Sequence, residues 1–115
     1  MNKDLQIAKK TVQIEIQALK KLSSSFNRSS HFSKAVNLLS KMKGKCLVVG
    51  VGKSYIVSLK VSATLSSLGT PSVAFSANDL QHGGLGAIQK NNDVLLIFSV
   101  SGESLELNSI LRYAN

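Results

Sequence analysis

The chain has 115 residues, of which 43% are hydrophobic and 17% charged, a balance that suits one compact core and excludes a disordered segment. One proline, eight glycines and a single cysteine exclude collagen-like repeats and an internal disulfide framework. Fourteen Lys and Arg against six Asp and Glu give a net charge of +8, which points to an acidic ligand without saying which.

Leu5, Ala8, Val12, Ile16, Leu19 and Leu22 recur every three or four residues and predict a helix over about 4–22. The serine-rich run 23–30 breaks the pattern and reads as a loop. A second helix is predicted over about 31–42, with Gly44 in the position of a left-handed residue closing it. The period then changes. Residues 45–51 contain a short continuous apolar run, the mark of a strand buried on both faces. Cys46 lies in that run and reads as a small buried hydrophobe. Gly50-Val51-Gly52 turns the chain into a third helix over about 54–68, ended by Gly69 and Pro71. Residues 72–75 are a second short strand, and 79–87 a glycine-rich segment around His82. DVLLIFSV, 93–100, is the clearest strand, followed by a helix starting within 101–104 and running to 112. Alternating strands and helices without hairpin signals predict an α/β fold, an open parallel sheet flanked by helices, behind an N-terminal helical arm. The arm is expected to cover 1–44 and the sheet 45–115.

Ligands of parallel sheets bind beyond the carboxyl ends of the strands, so three loops matter. Gly50-Val51-Gly52-Lys53-Ser54 invites two readings that fail on spacing: a phosphate-binding Walker loop needs glycine at Leu47, and a dinucleotide fingerprint needs glycine at Tyr55. Neither ATP nor NAD is supported, and no cofactor is expected. Two glycines at a helix start, with free amides, the Ser54 hydroxyl and the Lys53 charge, can still hold an anion. The loop after the third strand repeats the arrangement with Ser99, Ser101, Gly102 and Ser104. Plain N-capping by Ser101, Glu103 or Ser104 is the competing explanation. It covers one serine more easily than three. In the middle loop His82 can act as an acid or base beside a bound ligand. No cluster with metal-ligand spacing surrounds it, so no firm metal site is read. Glu106 stands one turn into the last helix.

With no tryptophan and six aromatics in all, a base-stacking surface is not supported, and no nucleic-acid partner is expected. No apolar run approaches the roughly 20 residues that span a bilayer. MNKDLQIAKK lacks the continuous apolar stretch of a secretory signal. No membrane partner is expected.

The stretches VVGVGKSYIVSLKVSATLSSLGTP, QHGGLGAI and DVLLIFSVSGESLEL resemble, in order and spacing, the sugar isomerase (SIS) domain of D-arabinose-5-phosphate isomerases. The resemblance implies a Rossmann-like SIS-type sheet, of which about three strands are present here; the family's domain continues further. It implies aldose–ketose isomerisation between D-ribulose 5-phosphate and D-arabinose 5-phosphate for lipopolysaccharide (Kdo) synthesis, in the cytoplasm and in a homo-oligomer. It assigns Ser54, Ser99, Ser101 and Ser104, with Gly52 and Gly102, to the substrate phosphate. It assigns catalysis to Lys53, Glu106 and His82, the last also able to take a metal ion. The chain departs from the pattern at Tyr55-Ile56, where a Gly-His is usual, at Val100, where Asn is usual, and at Gly84, where Asp is usual. A non-catalytic sugar-phosphate-binding module and a degenerate isomerase are the alternatives.

Overall fold

The computed structural model describes residues 2–102 and 104–115; Glu103, one of the capping candidates, lies outside them. The chain divides into two compact units, 1–37 and 38–115. The division falls within the second helix, earlier than the 44/45 boundary read from the sequence.

In the first unit, α1 (Lys3–Ser25) starts where the Asn2 side chain accepts the Asp4 N–H. The helix runs on through Ser23–Ser25, beyond the expected 22, and there Ser24 and Ser25 donate their hydroxyls back to the carbonyls of Lys20 and Leu22. A 3-10 turn, Phe26–Arg28, leads into α2 (His31–Lys41). The rings of Phe26 and Phe32, 4.9 Å apart and tilted by 51°, pin that turn. No residue of α1 or α2 is buried, and Leu5, Val12, Ile16, Leu19 and Leu22 of the α1 stripe remain exposed.

In the second unit, β1 (Cys46–Gly50), β2 (Ser72–Ser76) and β3 (Val94–Phe98) form a parallel sheet in the order β2-β1-β3. The continuous apolar run belongs to the central strand: every residue of β1 is buried, whereas β2 and β3 are half-buried edges. Between strands lie α3 (Lys53–Ser67) and α4 (Ala77–Gln81), and α5 (Leu105–Ala114) follows β3. Leu47 and Val49 point into a core made with Ala77 and Leu80 of α4 and Leu107 and Ile110 of α5. The opposite face belongs to α3, which buries Ser58 and Ser62 and leaves Ile56, Val57 and Leu59 exposed. Small side chains at the contact let the helix lie close to the strands.

Two expectations fail here. Gly44 does not take a left-handed conformation. It is needed for space, because a Cβ there would overlap the Asp93 carboxylate and sit 3.1 Å from the Asn92 backbone. Part of the glycine-rich segment is helical: Ser76 accepts the Asp79 N–H and caps α4, and residues Gly84–Ala87 form a 3-10 turn. No helix among the described residues is long and apolar enough to cross a membrane.

Candidate functional site

The carboxyl ends of β1 and β3 are neighbours, with Gly50 paired to Phe98 in register. The chain leaves β1 through a turn that only glycines permit. A Cβ on Gly50 would run into the backbone of Ser54, with the carbonyl oxygen at 2.5 Å and the Tyr55 nitrogen at 2.6 Å. Gly52 has φ 56° and ψ −122°, a conformation closed to other L-residues. Together they bring the start of α3 hard against the end of β1.

At the neighbouring strand, β3 stops at Phe98 and not at 100, because the Ser99 hydroxyl accepts the Gly102 N–H at 2.9 Å and closes a turn. Gly102 takes φ 70° there. The last helix begins at Leu105 with Ser104 at the N-cap.

These two loops enclose an open cleft of about 400 Å³. Its polar lining is Lys53, Ser54, Ser99, Ser101 and Ser104, and its apolar lining Val51, Phe98 and Val100. Five of the sequence-derived site residues therefore meet in one place, with Gly52 and Gly102 shaping the two turns. His82 and Glu106 are not in that lining. His82 follows α4 as an exposed residue, and Glu106 is exposed in the first turn of α5. The two lie along one seam: Gln81, beside His82, donates from Nε2 to the Glu106 carbonyl at 2.6 Å and to the Ser109 hydroxyl at 3.0 Å. Gln81, Val51, Phe98 and Val100 all lie within the family-like stretches, but none of the four is singled out there as a site residue.

The helix starts differ in a telling way. Where α1 and α4 are capped by the side chains of their N-cap residues, the N-cap residues of α3 and α5 make no such bond: Gly52 has no side chain to offer, and the Ser104 hydroxyl makes no capping bond. Plain capping therefore does not account for Ser104. The amides of α3 are less available than expected, since the Ser54 and Tyr55 N–H groups donate to Val51 and Gly52 carbonyls at 3.1 Å. Hydroxyls and the Lys53 ammonium carry the donor capacity. The partial positive charges of two helix ends that face one cleft add to it. Among the described residues no group of three or more His, Cys, Asp or Glu side chains is placed to hold a metal ion.

Residues 38–115 match the SIS domain family. The chain is 39% identical over 104 residues to the arabinose 5-phosphate isomerase KdsD of Pseudomonas aeruginosa, covering 90% of this chain and 31% of that protein. It is 35% identical over 107 residues to the arabinose 5-phosphate isomerase GutQ of Escherichia coli K12, covering 93% and 32%. The chain thus spans about a third of the length of these curated relatives. A solved structure of an E. coli CFT073 protein in complex with arabinose 5-phosphate superposes with a TM-score of 0.85 at 33% identity, covering all of this chain and 63% of that one.

Proposed function

Because the chain belongs to the SIS domain family, we propose that its cleft binds the phosphate of a phosphorylated sugar, and that the reaction served is isomerisation between D-ribulose 5-phosphate and D-arabinose 5-phosphate. One observation carries the reading: two helix starts whose N-cap residues, Gly52 and Ser104, make no side-chain capping bond meet the hydroxyls of Ser54, Ser99, Ser101 and Ser104 at adjacent strand ends. Hydroxyl donors at positive helix ends suit the oxygens of a phosphate monoester. The resemblance to two arabinose 5-phosphate isomerases supports the choice of sugar.

In this reading the anchored phosphate orients the far end of the sugar, so binding energy is used for positioning. A base removes a proton from C1 of the ketose, an enediolate forms, and the proton returns at C2 to give the aldose. Lys53 is assigned to the negative charge that develops on the enediolate oxygen. Glu106 is assigned to proton transfer between carbons, and His82 to the proton on the oxygens. The work belongs in the cytoplasm and in a homo-oligomer.

The test is proton NMR of D-ribulose 5-phosphate in D₂O with the folded chain. Deuterium at C2 together with new D-arabinose 5-phosphate is the expected result. Binding without exchange would favour a second reading, a non-catalytic sugar-phosphate module. That reading has its own support, since Glu106 and His82 stand outside the cleft lining.

A further inference from the structure

The long helix α1 has no buried residue. Leu5, Val12 and Leu19 recur every seventh residue and, with Ala8 and Ile16, form one stripe along it. The four larger side chains of that stripe are between 46% and 64% exposed. The charges beside the stripe are sorted by sign. Asp4 and Glu15 lie along one flank and Lys9 and Lys20 along the other, each pair eleven residues apart and so on one side of the helix. Helices in proteins owe most of their stability to packing of an apolar face. The surface that covers this stripe should therefore be apolar in the middle, basic along one edge and acidic along the other. An anionic membrane fits poorly, because its headgroups would meet Asp4 and Glu15 beside the apolar stripe.

We propose that the stripe is covered by α1 of a second copy of this chain, the two helices running parallel about a two-fold axis. Parallel pairing stacks Leu5, Val12 and Leu19 each on its own counterpart, the seven-residue seam of a two-stranded coiled coil. It also turns the acidic flank of each copy towards the basic flank of the other. Asp4 then faces the second copy's Lys9, and Glu15 the second copy's Lys20, both five residues onward, where flanking charges meet across a parallel pair. Antiparallel pairing would gather the lysines of both copies along one edge and the carboxylates along the other. The surface is argued from α1 alone and stands apart from the cleft. It gives the homo-oligomer of the functional reading a defined interface and orientation.

Sedimentation velocity of the full chain over a range of concentrations should show a monomer–dimer equilibrium. Lys20→Glu should weaken the dimer roughly tenfold, and adding Glu15→Lys to the same chain should restore it, since the facing pair is then intact with its signs exchanged. Orientation is read by disulfide formation. Under mild oxidation Leu5→Cys should cross-link to its own counterpart, and Leu19→Cys likewise; Cys46 is buried and does not compete. All these positions are exposed, so the changes do not threaten folding of the sheet. A monomer at every concentration overturns the pairing, and so does a dimer indifferent to Lys20→Glu. Cross-linking of Leu5→Cys only with Leu19→Cys overturns the parallel arrangement. A monomer that sediments with phosphatidylglycerol vesicles assigns the stripe to a membrane surface instead. Each of these outcomes leaves the phosphate site where it stands.

Discussion

Asp93 holds Lys45 twice: Oδ1 accepts the Lys45 backbone N–H at 2.8 Å, and Oδ2 accepts its ammonium at 2.7 Å. One carboxylate thus fixes both main chain and side chain of the residue that leads into β1, just before β3 begins. The Gln89 N–H also donates to Oδ2 at 2.8 Å, and the Asp93 side chain is 1% exposed. The Gly44 position is closed to larger residues by the same carboxylate.

The staple carries a pH signature. Burial alone would raise the Asp93 carboxyl, but donation from Gln89 and Lys45, with the Lys45 charge, outweighs it and holds the group below its ordinary value of 3.8. A folded value below the unfolded one stabilises fully above the unfolded value and fades as pH falls through the folded one. Asp93→Asn should therefore lower stability at pH 7 by about 1–3 kcal/mol. Urea melts of both proteins should begin to draw together only as pH falls below about 4, and meet below the depressed folded value; a gap that stays constant to pH 2 would assign the effect to packing.

Gly50→Ala should disturb fold and cleft together. Its methyl meets the backbone of Ser54 and Tyr55, which has no rotamer to yield. Pushing α3 off β1 should cost roughly 1–3 kcal/mol and weaken phosphate binding in the same variant. Unchanged binding in a destabilised protein would show that the cleft does not depend on this close approach.

Ser104 and Ser76 occupy equivalent helix positions and should respond oppositely. Ser76→Ala removes the bond from the Asp79 N–H and should cost about 1 kcal/mol of stability. Ser104→Ala removes no cap. Its melting temperature should barely move, while phosphate-ester affinity falls by roughly 1–3 kcal/mol. A clear loss of stability without loss of affinity would return Ser104 to a purely structural role.

Cys46 is fully buried, and burial pushes its thiol above the ordinary value. Since the thiolate is the reacting form, iodoacetamide at pH 8 should leave the native protein unmodified and label it in urea. Rapid native labelling would mean that β1 opens readily.

Much of the second unit was legible because central and edge strands differ in pattern. The run at Cys46–Gly50 is apolar at every position but the last, and it proved to be the middle strand. Spacing around Gly52 and Gly102 marked two of the ligand-side turns, and the serines were found by type and place. What stayed hidden depended on three-dimensional neighbours. Only five residues form α4, too short for a period, and its cap at Ser76 lay outside the segment that drew notice. At Gly44 the requirement is the distant Asp93 side chain, not local backbone shape. The side of α3 that meets the sheet carries Ser58 and Ser62, so apolar periodicity does not identify it. That Glu106 and His82 miss the cleft lining depends on where β3 ends and on how α4 leans on α5, which a linear motif does not encode.

Two helices start at the cleft from opposite sides of the sheet, α3 over the face that includes Gly50 and α5 over the face of Leu47 and Val49. A molecule held by Ser54 on one and Ser104 on the other acts as a rivet through both layers. Neither layer can come loose without releasing it, so occupancy and global unfolding are thermodynamically linked. At a ligand concentration a hundredfold above the dissociation constant, that linkage adds about 2.7 kcal/mol, a large increment for a three-stranded sheet with two half-buried edges. The cleft would then serve this unit as a structural keystone.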